Sequence, residues 1–196
     1  MTQQDWKNKN ILGLDISQER TGWALLHYTK IEKWGKIDRP PSFEGVKFKD
    51  AQFPFLLNAY FEKLSFQLCN LKEMVGHIDS VVMEDLNIRW ATAAKILMQF
   101  QAVAKLAVVQ QLHADVYMVN NLTVKSVFKI QTKKHLINPE INDLAKTFKV
   151  KPVKIMMVQK INKIFETNFT YDQNDEADSI ALVITHLKRQ IKGELK

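Results

Sequence analysis

Four acidic residues stand where predicted strands end or where the last predicted helix begins, and carboxylates at such places can bind metal ions. Asp15 ends the apolar run at 11–15, and Glu84 ends the run "HIDSVVME". Asp175 and Asp178 lie three residues apart in the first turn of the final helical segment, so they share one side of that helix. If the carboxylates converge, their repulsion requires cations, and oxygen ligands alone favour Mg²⁺ or Mn²⁺.

Each acid also has an ordinary structural explanation. Asp15 could bond the backbone of the turn that follows its strand, and Glu84 could pair with Arg89 or Lys125. Acids in the first turn of a helix complement the helix dipole in any protein. The combination is more informative than any single acid, because strand ends and helix starts meet at the rim of an α/β sheet, where ligands commonly bind.

The segments that carry the acids predict a mixed sheet. Three strands at 11–15, 23–28 and 31–37 follow one another closely, which predicts an antiparallel meander. Two later strands, one ending at Glu84 and one over "DVYMVN", alternate with helices and indicate a parallel part of the sheet. Helical periodicity predicts helices at 55–75, 90–112, 122–130, 152–165 and 175–190.

Two expectations concern the last third of the chain. Residues 131–151 are polar, lysine-rich and weakly periodic, which predicts a long, irregular and mobile segment. Pro152 suits the first turn of the helix after it, and Asn174 is expected to cap the last helix.

Composition sets the outer bounds. The 196 residues, 46% of them apolar, suit one globular domain spanning 1–196 with a core at about 10–192, and the net charge of +7 is compatible with a polyanionic partner. One cysteine, no recognisable signal peptide and no apolar run approaching ~18 residues predict a soluble protein of a reducing, cytoplasmic compartment without a membrane segment.

Two enzyme classes are excluded. A sugar-kinase or actin-like ATPase needs a second, glycine-rich phosphate loop and two lobes, whereas this chain has six unclustered glycines and is short. A dinucleotide-dependent dehydrogenase needs G-x-G-x-x-G after the first strand, which is absent.

Three separated segments together resemble the RuvC-type Holliday junction resolvases of the ribonuclease H-like, or retroviral-integrase, superfamily. They are "ILGLDISQERTGWALL", "SVVMEDLNIRWATAAKILMQFQAVAKLAVV" and "DEADSIALVITH", the last being the most specific. The chain departs from the family at Ile16-Ser17, where the family has Pro-Gly, and at Asn87, where it has an aromatic residue. The resemblance implies an α/β, ribonuclease H-like fold with a five-stranded mixed sheet, antiparallel in its first three strands and flanked by helices.

The resemblance also implies the activity. It predicts a metal-dependent endodeoxyribonuclease that resolves Holliday junctions by paired symmetric nicks in four-way DNA, during recombination, repair or phage DNA processing. It implies a C2 homodimer encoded by a bacterium or phage, and the helix at 91–109 could form the interface or be buried against the sheet. The implied ligands of two Mg²⁺ or Mn²⁺ ions per subunit are Asp15, which would bridge them, Glu84, Asp175 and Asp178.

Basic and aromatic residues complete the implied site. Lys125, in "TVKSVF", matches a lysine that the family places near the scissile phosphate, although an isolated lysine is more often simply solvated. A second lysine is expected near the start of the next helix, and Lys151 and Lys154 both remain open. Arg89 and Trp90 are expected to contact DNA, with Trp90 stacking on exposed bases unless it belongs to the core.

Two other functions fit much of the pattern. Another ribonuclease H-like nuclease, acting on RNA:DNA hybrids or precursor RNA, would keep all four acids. A non-catalytic junction-binding protein on the same scaffold would not need them.

Overall fold

The computed structural model describes residues 7–45, 47, 50–85 and 91–191, and a five-stranded mixed sheet lies at its centre. The spatial order is β3-β2-β1-β4-β5, with β1 to β3 antiparallel and β4 and β5 parallel to β1. The predicted ribonuclease H-like arrangement is therefore confirmed. The strands are β1 (Asn10–Ile16), β2 (Arg20–His27), β3 (Lys30–Asp38), β4 (Ser80–Asp85) and β5 (Asp115–Asn120).

Helices cover both faces of the sheet. One hydrophobic core joins the sheet to α1 and α2, and a second joins its other face to α3, α5 and α6. None of the helices within the described residues is both long and apolar enough to cross a bilayer. The helices are α1 (Phe53–Val75), α2 (Ala91–Leu112), α3 (Asn121–Val127), α4 (Pro139–Thr147), α5 (Pro152–Phe165) and α6 (Asn174–Ile191).

Strand alternation places two of the acids on the same face of the sheet. Leu12 and Leu14 of β1 belong to the core under α1 and α2, so Asp15 points to the opposite face. Met83 of β4 belongs to that first core as well, so Glu84 also points to the face that α6 covers. Since β1 and β4 are adjacent and parallel, the two carboxylates end neighbouring strands at the same edge.

Two glycines bring α6 close to the sheet. A Cβ atom at Gly13 of β1 would lie 2.9 Å from Cγ2 of Val183, and one at Gly22 of β2 would lie 2.8 Å from Cβ of Asp175. Any larger residue there would push α6 outward. The absence of side chains at these positions lets the first turn of α6 rest beside the end of β1.

The prediction of a long irregular segment at 131–151 is wrong for residues 139–147, which form α4. The signal lies in the cap: Asn138 Oδ1 accepts a hydrogen bond of 2.9 Å from the Glu140 N–H, and Pro139 occupies the first turn. Phe148, just after α4, packs edge-on against Tyr171 at 4.9 Å between ring centres. A nine-residue helix gains its stability from such tertiary contacts, which a polar sequence does not reveal.

The start of α6 also differs from the prediction. Helix α6 begins at Asn174, but a 3-10 turn at Tyr171–Gln173 precedes it, and the capping box is formed by Thr170 and Gln173. The Asn174 side chain instead donates from Nδ2 to the Tyr171 carbonyl oxygen at 3.0 Å, and its Oδ1 accepts a hydrogen bond of 2.6 Å from Lys154 Nζ.

Candidate active site

Three of the four predicted acids converge at one edge of the sheet. Asp15 from β1 and Asp175 and Asp178 from α6 each present a carboxylate oxygen, and these three oxygens lie within 4.8 Å of one another. Asp175 is buried, while Asp15 and Asp178 are half-buried. The residues that strand alternation and helical spacing placed on facing surfaces thus form a compact anionic cluster.

Glu84 lines a small cavity together with two of the clustered acids. The cavity, of about 140 Å³, is lined by Asp15, Glu84 and Asp178 among others, and has room for ordered water or small ions. Glu84 Oε1 accepts a hydrogen bond of 2.6 Å from Asn121 Nδ2, and its backbone oxygen accepts one of 2.5 Å from Gln101 Nε2. The glutamate is therefore held in place although it is not one of the three clustered acids.

Lys154 lies among the acids and pairs with two of them. Its Nζ is 2.5 Å from Asp175 Oδ1 and 3.4 Å from Asp178 Oδ2. Lys151 and Lys125 line the same cavity, but neither forms an ion pair with these acids within the described residues. Of the two lysines that the sequence left open, Lys154 is the one that the packing of α5 on α6 brings into the cluster.

The charges of the cluster do not balance. Burial, followed by the charge of Asp178, raises the pKa of Asp15 well above its ordinary value against the opposing effect of Lys154. Burial also raises the pKa of Asp178 to about 6, although Lys154 counteracts it. The pKa of Lys154 is raised because Asp178 and Asp15 outweigh the opposing effect of its desolvation. Lys154, together with Arg20 beside Asp175, therefore compensates only part of the negative charge that the fold gathers here.

This donor set fits a hard divalent cation. All of the candidate ligand atoms are carboxylate oxygens, and the excess negative charge raises the free energy of the cluster until a cation joins it. Mg²⁺ and Mn²⁺ prefer such oxygen ligands, whereas Zn²⁺ sites use nitrogen or sulfur in most proteins. Metal binding by Asp15, Glu84, Asp175 and Asp178 stays a prediction.

Two residues near the acids were missed by sequence reasoning. Arg20, at the start of β2, places Nε 3.6 Å from Asp175 Oδ2 and 3.9 Å from Asp38 Oδ1. Asn121 bonds Glu84 as described above. Asn121 carries a weak sequence signal, because it follows the strand next to the one that ends at Glu84. Arg20 carries none, because nothing in the sequence distinguishes it from other polar turn residues.

The predicted DNA-contacting residues Arg89 and Trp90 lie outside the described residues. Their roles, and those of Lys125, Lys151 and Lys154 toward a phosphate, stay predictions.

The raised pKa of Asp178 predicts that Asp178→Asn stabilises the metal-free protein at neutral pH. Below its unfolded-state pKa of 3.8 the carboxyl is protonated in both states, and between 3.8 and about 6 only the folded protein keeps the proton. Stability is therefore lost as the pH rises through this window, by roughly 3 kcal/mol at most. We expect the variant to match the parent near pH ~4 and to exceed it near pH ~7 in urea titrations with chelator.

The stability of the Asp178→Asn variant must be compared with that of the parent at the same pH, because other groups also change stability with pH. Burial, followed by the charge of Arg189, lowers the pKa of His186 to about 4, which gives the opposite slope in the same window. This contribution cancels when the variant is compared with the parent. Asp143→Asn, on the exposed surface of α4, is the control and should show no such trend. A lower stability of Asp178→Asn than of the parent at neutral pH would contradict the electrostatic explanation.

Comparison with known proteins places the fold. Thermus thermophilus RuvC superposes on the chain with a TM-score of 0.61. T. thermophilus RuvC in complex with Holliday junction substrate superposes with a TM-score of 0.59. Each is 12% identical in sequence to this chain, and each match covers 94% of this chain and 96% of the other. The yeast mitochondrial Holliday junction resolvase Ydc2 gives a TM-score of 0.48 at 15% identity, over 96% of this chain and 82% of Ydc2. No protein-family model and no curated protein sequence matches the chain. The chain thus has the ribonuclease H-like fold of RuvC. At 12% identity the likeness shows the fold alone, so the activity is inferred from the residues of the site.

Proposed function

We propose that this protein is a metal-dependent, structure-selective endonuclease that resolves four-way DNA junctions by paired symmetric nicks. The observation that carries the proposal is the gathering of Asp15, Asp175 and Asp178 oxygens within 4.8 Å of one another at the edge of a ribonuclease H-like sheet. A structural neighbour is RuvC in complex with Holliday junction substrate, which supports a junction as the substrate. We further propose that residues 1–196 form one nuclease domain, with a core at about 10–192, that acts in DNA recombination or repair in the cytoplasm of a bacterium or in phage DNA processing.

Asp15, Glu84, Asp175 and Asp178 would hold Mg²⁺ or Mn²⁺, two ions per subunit. When bound, such ions lower the pKa of an attacking water and neutralise the charge that develops on the phosphate. The oxygen-only donor set and the uncompensated charge around Lys154 support this assignment. Asp15 is the central ligand of the proposal because it comes from the sheet and faces both α6 and the cavity that Glu84 lines.

The lysines around the cavity would orient the scissile phosphate. Lys125 from α3, Lys151 at the start of α5 and Lys154 within α5 all line the cavity beside the acids. Their ammonium groups would attract the phosphate and stabilise its non-bridging oxygens in the transition state. Lys154 would do so after exchanging some of its carboxylate contacts for the phosphate.

Exposed lysines on two helices, one of which lines the cavity, support a nucleic-acid substrate. Junctions are recognised by shape and phosphates more than by base sequence, so exposed cations near the site suit them. In the described part of the chain, exposed lysines on and around α4 and α5 provide a basic surface, and Arg89 and Trp90 are proposed to extend it. The lysines are Lys146, Lys149, Lys151, Lys160 and Lys163.

A symmetric dimer would place two sites on the two strands to be cut. The outward side of α2 supports this proposal, because Met98, Leu106 and Val109 are 44%, 51% and 55% exposed although they are apolar. The inward side of the same helix packs on α1 through residues that include Phe100. Helix α2 can therefore serve the core and a dimer interface at once.

A cleavage assay on three nucleic acids, with and without divalent metal, tests this proposal. The protein is incubated with a labelled synthetic four-way junction, a linear duplex of the same sequence and an RNA:DNA hybrid, each with Mg²⁺ or with chelator. We expect paired nicks at symmetric positions, confined to the junction and dependent on Mg²⁺. Cleavage of the hybrid alone would favour another ribonuclease H-like nuclease, and junction binding without cleavage in any divalent metal would favour a non-catalytic binding protein.

A further inference from the structure

Two neighbouring asparagines at the end of β5 make different contacts. Asn120 Oδ1 accepts a hydrogen bond of 2.8 Å from the Leu122 N–H and so caps α3. Asn121, the first residue of α3, instead donates from Nδ2 to Glu84 Oε1 at 2.6 Å. Asn120 therefore stabilises the start of α3, whereas Asn121 contacts a candidate metal ligand.

The hydrogen bond from Asn121 restrains the Glu84 carboxylate. Glu84 is half-buried at the end of β4, and its side chain has three rotatable bonds that burial alone does not fix. A carboxylate only accepts hydrogen bonds, so the amide of Asn121 must turn its Nδ2 toward Glu84 and its Oδ1 away. One Glu84 oxygen is thereby engaged, and the other is left for a second ligand.

The oxygen of the same amide has no hydrogen-bond partner among the described residues. Asn121 Oδ1 is buried and accepts no hydrogen bond within the part of the chain that the structure describes. The side chain lines the same cavity as Asp15, Glu84 and Asp178. Leaving a buried amide oxygen unpaired is unfavourable, so a water in this cavity that donates to Oδ1 would lower the free energy of the site.

We propose that Asn121 is a positioning residue that holds Glu84 in the orientation needed to bind a divalent cation. This inference rests on the proposed function, since it assigns a role to Asn121 only if Glu84 is a metal ligand. Asn121 Nδ2 restrains the Glu84 carboxylate, and the Asn121 side chain lines the cavity that the acids share.

Calorimetric titration of Mn²⁺ into the DNA-free protein tests the proposal. We expect Asn121→Leu, which keeps the size of the side chain but removes the donor, to weaken Mn²⁺ binding about 10- to 100-fold, as is typical when a residue supporting a metal ligand is removed. Asn120→Ala is the matched control: it removes the helix cap, so it should lower the melting temperature while leaving Mn²⁺ affinity within about threefold.

A double-mutant cycle separates positioning from general damage. If Asn121 acts through Glu84, then Asn121→Leu should change Mn²⁺ affinity less than about threefold in a Glu84→Gln protein. Asn121→Ser, which is polar but too short to reach Glu84, replaces the leucine variant if that variant does not fold. The proposal is overturned if the Asn121 variants bind Mn²⁺ like the parent, or lose as much affinity in the Glu84→Gln background.

The result also distinguishes this inference from the proposed function. Normal Mn²⁺ binding and junction cleavage by Asn121→Leu would remove the role of Asn121 and leave the nuclease intact. A parent protein that binds no Mn²⁺ and cuts no junction would overturn both.

Discussion

Asp15→Asn is expected to reduce junction cleavage by at least about 10³-fold, or ~4 kcal/mol of transition-state stabilisation, while junction binding stays unchanged. Asparagine keeps the shape of the side chain but removes the charge that the proposed site needs between β1 and α6. Binding should persist because the exposed lysines on α4 and α5 are untouched. Single-turnover cleavage with Mg²⁺ and a gel-shift assay in Ca²⁺ measure the two quantities separately.

The same substitution should stabilise the protein when metal is absent. Burial and the charge of Asp178 raise the pKa of Asp15, so the ionised carboxylate is disfavoured in the folded state at neutral pH. Loss of cleavage together with a higher melting temperature in chelator would show that an intact fold lost a functional group. Asp115→Asn, an exposed aspartate at the opposite end of the sheet, is the control and should cut normally. Full activity of Asp15→Asn would remove the basis of the proposed mechanism.

Lys154→Met is expected to lower the stability of the metal-free protein by about 3 kcal/mol at pH ~8. Lys154 Nζ is the cation between Asp175 and Asp178, and its removal leaves buried carboxylates facing one another. Two conditions should reduce the loss: acidic pH, because the carboxyls then take up protons, and Mg²⁺, because a bound cation replaces the missing charge. Urea titrations at two pH values, with chelator or Mg²⁺, provide the measurement.

Lys151→Met is the matched control for this prediction. Lys151 lines the same cavity but is exposed, and no ion pair joins it to the acids among the described residues. Its removal should leave stability within about 0.5 kcal/mol of the parent, as for most surface substitutions. Equal stability of Lys154→Met and the parent at pH ~8 in chelator would mean that solvent already screens the cluster.

The fold followed from sequence where the signal was local. Apolar runs located the strands, and their ends predicted that Asp15 and Glu84 meet at one rim of the sheet. That both side chains point to the same face was shown by the structure, where the preceding residues Leu14 and Met83 lie in the core on the other side. The spacing of Asp175 and Asp178 predicted a shared side of α6. Helix α4 was missed although its apolar residues recur at helical spacing, because it is short and mostly polar and its stability depends on a cap and on packing around Phe148.

The sequence by itself determined which residue types could form the site: four carboxylates at strand ends and a helix start, with lysines nearby. Only the tertiary structure showed that Lys154 forms ion pairs with Asp175 and Asp178, and only it placed Asn121 on Glu84 and Arg20 beside Asp175. The physical reason is the sequence separation over which each kind of signal acts. Strand alternation and helical spacing act over a few neighbouring residues, whereas these contacts join segments that meet only after α6 has packed against β1 and β2, where Gly13 and Gly22 leave room for it.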